Sequence, residues 1–400
     1  MYHRNLHYVI DFGMYRFCTY KGLRKQPVLL LLLFCLIYGE FLEPRSSPFW
    51  WPKFDSWDSE NETRLLLASD PHLEGYKPNL WWLNYVFQWD SDRYLKYHFR
   101  QALDWVKPSG FLILGDLFDL GSEIDEDEFK ETCARFQHIF LDKNPLPLIV
   151  VMYTIVLPFE KHFILPGDND VDLIEGGPTD PLLMKRLDGC LNPLRTTVNI
   201  QFLHLKTVPR GTYRVPSGDG KLQFNHSSEP FFILATHEPI MQIPRDNLNE
   251  VLSDKYPCLF VSSHYHRPYM YLIRSTGRGS FTHQWTYRPD NWHPRQLTLH
   301  LNLSHCTTDR SNPRESIGLG VPSCTYRSGF PKNTAFAVLQ IYRDGRATYH
   351  LLPLSSRLST VYLYLVCITF CFLYMILVTL LQRCPTGVRK HSVGHGTMIK

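Results

Sequence analysis

The chain has no Cys-x-x-Cys pair despite its ten cysteines, so neither a zinc knuckle nor a dithiol redox motif is indicated. It has no internal repeat and no low-complexity tract. It also lacks a large charge excess. The net charge is only +4, and much of it sits at the two ends, at Arg16, Lys21, Arg24 and Lys25 and again at Arg383, Arg389, Lys390 and Lys400. Nothing in that distribution resembles the basic face of a nucleic-acid binder. No small-residue cleavage site follows the first apolar run, because Tyr38-Gly39-Glu40-Phe41 is a poor one. The segment Ser359–Leu381 lacks charge altogether.

What is present fits a globular enzyme with added membrane segments: 44% apolar and 20% charged residues in a chain of 400, long enough for one large domain or two of ordinary size. About 20 apolar residues cross a bilayer as a helix, and Ser359–Leu381 meets that length. The run from Val28 to Leu42 is shorter. It reads as a signal anchor or a late signal peptide, with the anchor preferred. Basic residues before the first segment and after the second put both ends in the cytosol by the positive-inside rule, and the stretch between them in a lumenal or extracellular space. The three glycosylation sequons, at Asn61, Asn225 and Asn302, all fall in that stretch. Of its cysteines (Cys133, Cys190, Cys258, Cys306 and Cys324), some can form one or two disulfides, with pairing that cannot be read. The expected organisation is a cytosolic tail (1–27), a membrane segment (28–42), a linker (43–63), a lumenal domain (64–357), a second membrane helix (359–381) and a cytosolic tail (382–400). Trp50, Trp51, Trp57, Trp81 and Trp82 read as core and interfacial belt.

Within the lumenal part, short apolar runs end on polar residues as buried strands do. Leu65–Ala68 leads to Asp70-Pro71-His72. Phe111–Leu114 leads to Gly115-Asp116, with Asp119 close behind, and Ile164-Leu165 leads to Gly167-Asp168-Asn169-Asp170. Phe231–Ala235 leads to His237, and Leu259–Val261 to His264-Tyr265-His266. Ligand sites in α/β sheets lie beyond the carboxyl ends of strands. Helices are expected over Tyr94–Val106 and, with an acidic first turn, over Asp125–Leu141. Ala335–Ile341 and Ala347–Leu352 bear no ligands and look like a second sheet. Met152–Phe163 interrupts what would be one strand with Leu148–Val151, and is either an inserted loop or a feature of the gene model. Each motif alone is weak, since 18 histidines bring a His-x-His by chance. Their order and their position after apolar runs carry the signal. His264 and His266, taken as two apart on a strand end, should share one face.

This set resembles the calcineurin-like metallophosphoesterase superfamily across residues 64–345. Trp105, Phe111–Asp119, Arg135-Phe136 and Val321-Pro322-Ser323, with the paired terminal helices, resemble its metallophosphoesterase 1 branch. The resemblance implies an α/β fold, a β-sandwich flanked by helices (αββα) with an N-terminal and a C-terminal transmembrane helix. It also implies two divalent cations, with Mn²⁺ expected, set about 3.5–4 Å apart so that they screen a phosphate and activate water. Asp116 would bridge them. Asp70, His72 and His266 would complete one metal, and Asp168, His237 and His264 the other. Mixed oxygen and imidazole donors without thiolate suit Mn²⁺, Fe or Zn²⁺ better than Ca²⁺. The implied catalytic group is Asp116, Asn169, Asp170 and Asp119, the last two orienting histidines. The chain departs from the pattern at three places: Asp168 replaces the family's Asn ligand, Asn169 its usual His, and Ser263 its usual Gly. General-acid help is worth about 10²–10⁴-fold, so Asn169 would forfeit it unless water, His226 or His293 protonated the leaving group. The implied activity is removal of ethanolamine phosphate from a mannose of the glycosylphosphatidylinositol (GPI) anchor, in early secretory membranes (endoplasmic reticulum exit sites, the intermediate compartment, cis-Golgi). The implied partners are the anchor's lipid glycan, the membrane and GPI-cargo receptors. A catalytically impaired binding module and a phosphatase serving metal-ion homeostasis are the alternatives.

Overall fold

The computed structural model describes residues 26–54, 60–75, 81–142, 162–172, 179–191, 197–200, 203–207, 231–242, 257–277, 280–287, 298–304, 315–327 and 334–383. The chain forms two compact units, one of residues 1–43 with 358–400 and one of Pro44–Arg357. Leu148–Val151, His226, His293, Asn225, Cys306 and Trp57 lie outside the described residues.

The Pro44–Arg357 unit is built on two sheets. In chain order the strands are β1 (Glu62–Ala68), β2 (Gly110–Leu114), β3 (His162–Leu165), β4 (Thr197–Ile200), β5 (Leu203–Thr207), β6 (Phe231–Ala235) and β7 (Leu259–Ser262). They continue with β8 (Tyr269–Gly277), β9 (Ser280–Tyr287), β10 (Thr298–Asn302), β11 (Glu315–Gly320), β12 (Ala335–Tyr342) and β13 (Arg346–Pro353). One sheet has the order β10-β13-β12-β1-β2-β3 and the other β4-β5-β6-β7-β11-β8-β9. β1, β2 and β3 run parallel, as do β5, β6, β7 and β11. Strands buried on both faces read as unbroken apolar runs, which is why β1, β2, β3, β6 and β7 are legible, whereas β5 and β11 carry no such run.

Alternate residues explain the layers, since successive side chains point to opposite faces. Leu65, Leu67, Leu112 and Leu114 of the first sheet meet Phe231, Ile233, Leu259 and Val261 of the second in one core. Leu66, Phe111 and Ile113 face the other way, onto Leu95, Phe99, Phe129 and Phe136. These last come from the helices Trp81–Val106 and Glu126–Phe136. The second helix is capped by the Asp125 carboxylate, which accepts from the Asp127 and Glu128 amides, and runs on into a π-turn, Gln137–Leu141. The second sheet's outer face carries its own cluster of Phe232, Leu234, Phe260, Tyr269 and Tyr271. Among the described residues only the short turn Ile240–Gln242 packs there as a helix. Three of the four expected layers are therefore described. Cys133 and Cys190 form a disulfide between Glu126–Phe136 and the helix Pro181–Leu191, and Cys258 is also disulfide-bonded.

Two expectations change. β12 and β13 do not build a second sheet; β12 pairs antiparallel with β1, and the ligand-bearing strands divide between the sheets instead. Local apolar pattern reveals a strand but not its partner, so a returning edge is invisible to it. The compact unit also begins before residue 64: Trp51 is buried in the core and donates its indole N–H to the Pro353 carbonyl at 2.7 Å.

Gln26–Trp50 and Arg357–Leu380 delimit two helices long and apolar enough, by length and composition, to cross a membrane. The first outruns the expected Val28–Leu42 because the helix continues through π and 3-10 turns to Trp50. Cys35, Cys367 and Cys371 are buried together between these helices, and Tyr364 donates to Glu40 at 2.6 Å.

Candidate metal centre

The parallel strand ends of both sheets deliver side chains to one place. Past β1 and β2 the backbone stays zipped: the Asp70 amide donates to the Gly115 carbonyl at 3.2 Å, His72 to Asp116 at 3.0 Å and Leu73 to Leu117 at 2.9 Å. Six non-glycine residues among those described have positive φ: Asp70, His72, Lys107, Asp116, His264 and His266. Five of the six are predicted ligands. Left-handed backbone is uncommon for such residues and gathers at functional sites.

Two groups result. The ligand atoms of Asp70, His72, Asp116 and His266 all lie within 4.8 Å of one another, and so do those of Asp168, His237 and His264. Asp116 faces both. Its Oδ2 is 3.7 Å from His72 Nε2 and its Oδ1 is 3.5 Å from His237 Nε2. The Asn169 amide N–H reaches Oδ1 at 3.1 Å and its side-chain amide reaches Oδ2 at 3.2 Å. In the first group His72 Nε2 and His266 Nε2 are 3.1 Å apart. In the second, Asp168 Oδ1 is 2.9 Å from His237 Nε2 and 3.4 Å from His264 Nδ1. His264 and His266 stand past the end of β7 in left-handed conformations, so they address different groups and do not share one strand face.

The supports are backbone and hydroxyl groups. His237 Nδ1 lies 2.9 Å from the Leu114 carbonyl; donating there fixes the tautomer that leaves Nε2 free for a cation. Gly115, with φ +80°, lets that imidazole approach, because a Cβ on it would overlap His237 Nδ1. A Cβ on Gly167 would overlap Asp116. Among the described residues no histidine is hydrogen-bonded to Asp170. Its carboxylate accepts from the amides of Gly167 (2.8 Å), Leu117 (3.0 Å) and Phe118 (3.0 Å), tying the β2 loop to the β3 loop. Asp119 Oδ1 is 3.9 Å from His72 Nδ1, in an orienting position but beyond a direct hydrogen bond.

Three serines act as supports; Ser263 and Ser323 stand in the motifs named above, whereas Ser69, a single hydroxyl, carries no spacing signal. Ser69 Oγ lies 3.0 Å from Asp70 Oδ2, and Ser323 Oγ donates to the Asp70 carbonyl at 2.8 Å. Ser263 Oγ donates to the Leu114 carbonyl at 2.5 Å and sits 3.0 Å from His237 Nδ1. Val321-Pro322-Ser323 is thus the bed of Asp70: Ser69 Oγ also lies 2.8 Å from the Pro322 carbonyl.

The residues fit cations. Asp70 Oδ1 is buried without a hydrogen-bond partner, and such orphans are rare. Burial, opposed by His266 and His237, raises the Asp70 carboxyl. Burial, reinforced by Asp116, raises Asp170 to about 7. Burial works against charge on His237, yet Asp116, the Asp168 hydrogen bond and Asp70 outweigh it and lift the imidazole to about 10. The carboxylates draw a proton where a cation would sit. Burial and the Asp70 charge push the Cys324 thiol up, so it stays protonated and the donor set is oxygen and imidazole.

No family model matches the chain. Among curated proteins it is similar to Metallophosphoesterase 1 homolog of Drosophila melanogaster, 28% identical over 125 residues (31% of this chain, 32% of that protein). It is likewise similar to Metallophosphoesterase 1 of Danio rerio, 28% over 102 residues (26% of each), and of Pongo abelii, 30% over 155 residues (36% of this chain, 38% of that protein). The chain matches about a third of the length of these relatives. They support the metallophosphoesterase 1 branch, and with the Asp/His groups they support a metal-dependent phosphoester hydrolase.

Proposed function

We propose that this relative of the metallophosphoesterase 1 proteins is a membrane-tethered dinuclear phosphodiesterase that removes ethanolamine phosphate from a GPI-anchor mannose. The observation that carries a two-cation reading is Asp116, whose two oxygens face separate Asp/His groups. Asp70, His72 and His266 would hold one cation and Asp168, His237 and His264 the other, with Asp116 shared. The chemistry that two divalent cations supply in such a site is Lewis acidity toward a phosphoryl oxygen and a lowered pKa for water; Mn²⁺ is the expected metal. The chain's own residues hold the donors still: Asn169 clamps Asp116, Asp170 joins the two loops, and Leu114 fixes the His237 tautomer.

A lumenal site in early secretory membranes, facing the anchor's lipid glycan and GPI-cargo receptors, is part of this reading. Its supports are the flanking charges, the Cys133–Cys190 disulfide, which suits an oxidising compartment, and the exposure of Asn61 and Asn302. Detergent-solubilised chain with added Mn²⁺ should hydrolyse bis(p-nitrophenyl) phosphate faster than the monoester, and Asp116→Ala should abolish both. Undiminished turnover in that variant would overturn the reading. A second reading, a metal-loaded module without turnover, is favoured by one observation: Asn169 turns its amide onto Asp116 and offers no acid to a leaving group. Two bound cations with no hydrolysis of any ester would select it.

A further inference from the structure

The helix Trp81–Val106 has an outer stripe that neither the core nor the metal centre uses. Tyr85, Trp89, Arg93 and Tyr97 follow one another at four-residue spacing and so lie on one face. Tyr85 is 75% exposed, Trp89 60% and the neighbouring Val86 54%. The Arg93 guanidinium lies 4.8 Å over the Trp89 ring, and that of Arg45 lies 5.9 Å over Tyr97. Phe49 and Trp50, at 87% and 72% exposure, add two more uncovered aromatics.

The same helix touches the chain beside both ends of the Pro44–Arg357 unit, at Arg45 through Tyr97 and at Arg357 through Asp90. Asp90 accepts from Arg357 Nε at 2.9 Å and from Tyr326 at 2.8 Å. Tyr94 donates to the Ser355 carbonyl at 2.8 Å. At its other end Trp105 donates to the Pro52 carbonyl at 2.9 Å. Arg357 begins one apolar span and Trp50 ends the other. The stripe therefore lies beside both ends of that unit.

We infer that this stripe, with Phe49 and Trp50, is a lipid-docking surface that lies in the headgroup region of a bilayer. Tyr and Trp favour that zone because each has an apolar body and a polar tip, and Arg extends its charge to the phosphates. The occupant is a lipid surface and not a second protein because the chain itself passes into its apolar spans at the edge of the patch. The inference rests on those spans and is independent of the metal centre.

The test uses the full chain reconstituted in phosphatidylcholine vesicles. Eight of the nine tryptophans lie outside the spans Gln26–Trp50 and Arg357–Leu380, and Trp50 is the last residue of the first. The difference in emission between parent and Trp89→Phe isolates Trp89, and Trp89→Phe retains an aromatic at an exposed position. That difference emission should fall by at least half when 5-doxyl-phosphatidylcholine is included, and should resist aqueous iodide. Quenching by iodide and not by the doxyl lipid would overturn the inference, and so would protection from both, which would indicate a protein covering the stripe. Release of the chain by alkaline carbonate would remove the spans and the docking surface with them. Retention with an iodide-open Trp89 would remove the docking surface alone.

Discussion

Replacing Asp116 by Asn keeps the shape of the shared ligand and removes its charge. In the native chain, without cations, His237 rises from 6.5 to about 10, which corresponds to about 5 kcal/mol in favour of the imidazolium. Burial opposes that rise, and Asp116 is the largest influence favouring it. At the 3.5 Å separation of Asp116 Oδ1 and His237 Nε2, one carboxylate contributes about 5 kcal/mol at an effective dielectric of about 20. The two figures are of one size, so losing Asp116 leaves burial to return His237 to neutrality near pH 8. The sign follows from the raised value. The stabilisation by His237⁺ is fully present below 6.5 and is lost as pH rises through about 10. Because a cation must displace that proton, its apparent affinity should climb up to about tenfold per pH unit between pH 7 and 9 in the native chain. In Asp116→Asn the climb should flatten and the metal content should fall from two per chain to one or none. Calorimetry in two buffers of different protonation enthalpy reads the protons released, and elemental analysis counts the metal. Two equivalents bound by Asp116→Asn with undiminished proton release would refute the reasoning.

Gly115→Ala would force a Cβ onto His237 Nδ1 at a φ of +80°; the backbone alone costs about 1–2 kcal/mol, and metal content should drop through the Asp168, His237 and His264 group. Cys133→Ser opens a cross-link spanning 57 residues, and the chain-entropy account predicts a loss of about 4 kcal/mol, read as a lower denaturant midpoint; an unchanged midpoint would show that the closed loop adds nothing to stability. Asn169→His restores an imidazole at the start of the Asp168–Val171 turn and should raise diester kcat by about 10²-fold; if kcat stays flat while metal content is normal, protonation of the leaving group does not limit this site.

Much of the fold was legible because its central strands are short, apolar on both faces and stopped by ligands. Phe231–Ala235 is the clearest case: its apolar residues are the whole of β6. What stayed illegible is what depends on pairing between distant segments. Ala335–Ile341 reads as a strand, yet nothing local says that it returns beside Glu62–Ala68. The division of ligands between sheets follows from that pairing and was missed with it. His264 and His266 failed for a different reason. Two-residue spacing implies a common face only while the backbone is extended, and both residues have positive φ. Asp170, expected to orient a histidine, accepts three backbone amides among the described residues; a carboxylate that accepts backbone amides looks, in a sequence, like one that accepts from a histidine.

The left-handed residues also explain why the centre spans two sheets. An extended strand presents side chains about 6.6–6.8 Å apart along one face, too far for two residues of one strand to serve the same cation. Reversing the backbone just past the strand end brings Asp70 and His72 together. At His264 and His266 the same device separates two imidazoles toward neighbouring groups. Each reversal costs about 1–2 kcal/mol, and five of them sum to several. That cost persists because the loops are bound on every side: β1 to β2 through paired amides, β2 to β3 through Asp170, and Asp70 to the segment after β11 through Ser323. A single sheet has no second set of strand ends from which to aim histidines back at these carboxylates. With β6 and β7 in a facing sheet, the imidazoles arrive from the opposite side, and Asp116 is left between the two groups with one oxygen for each.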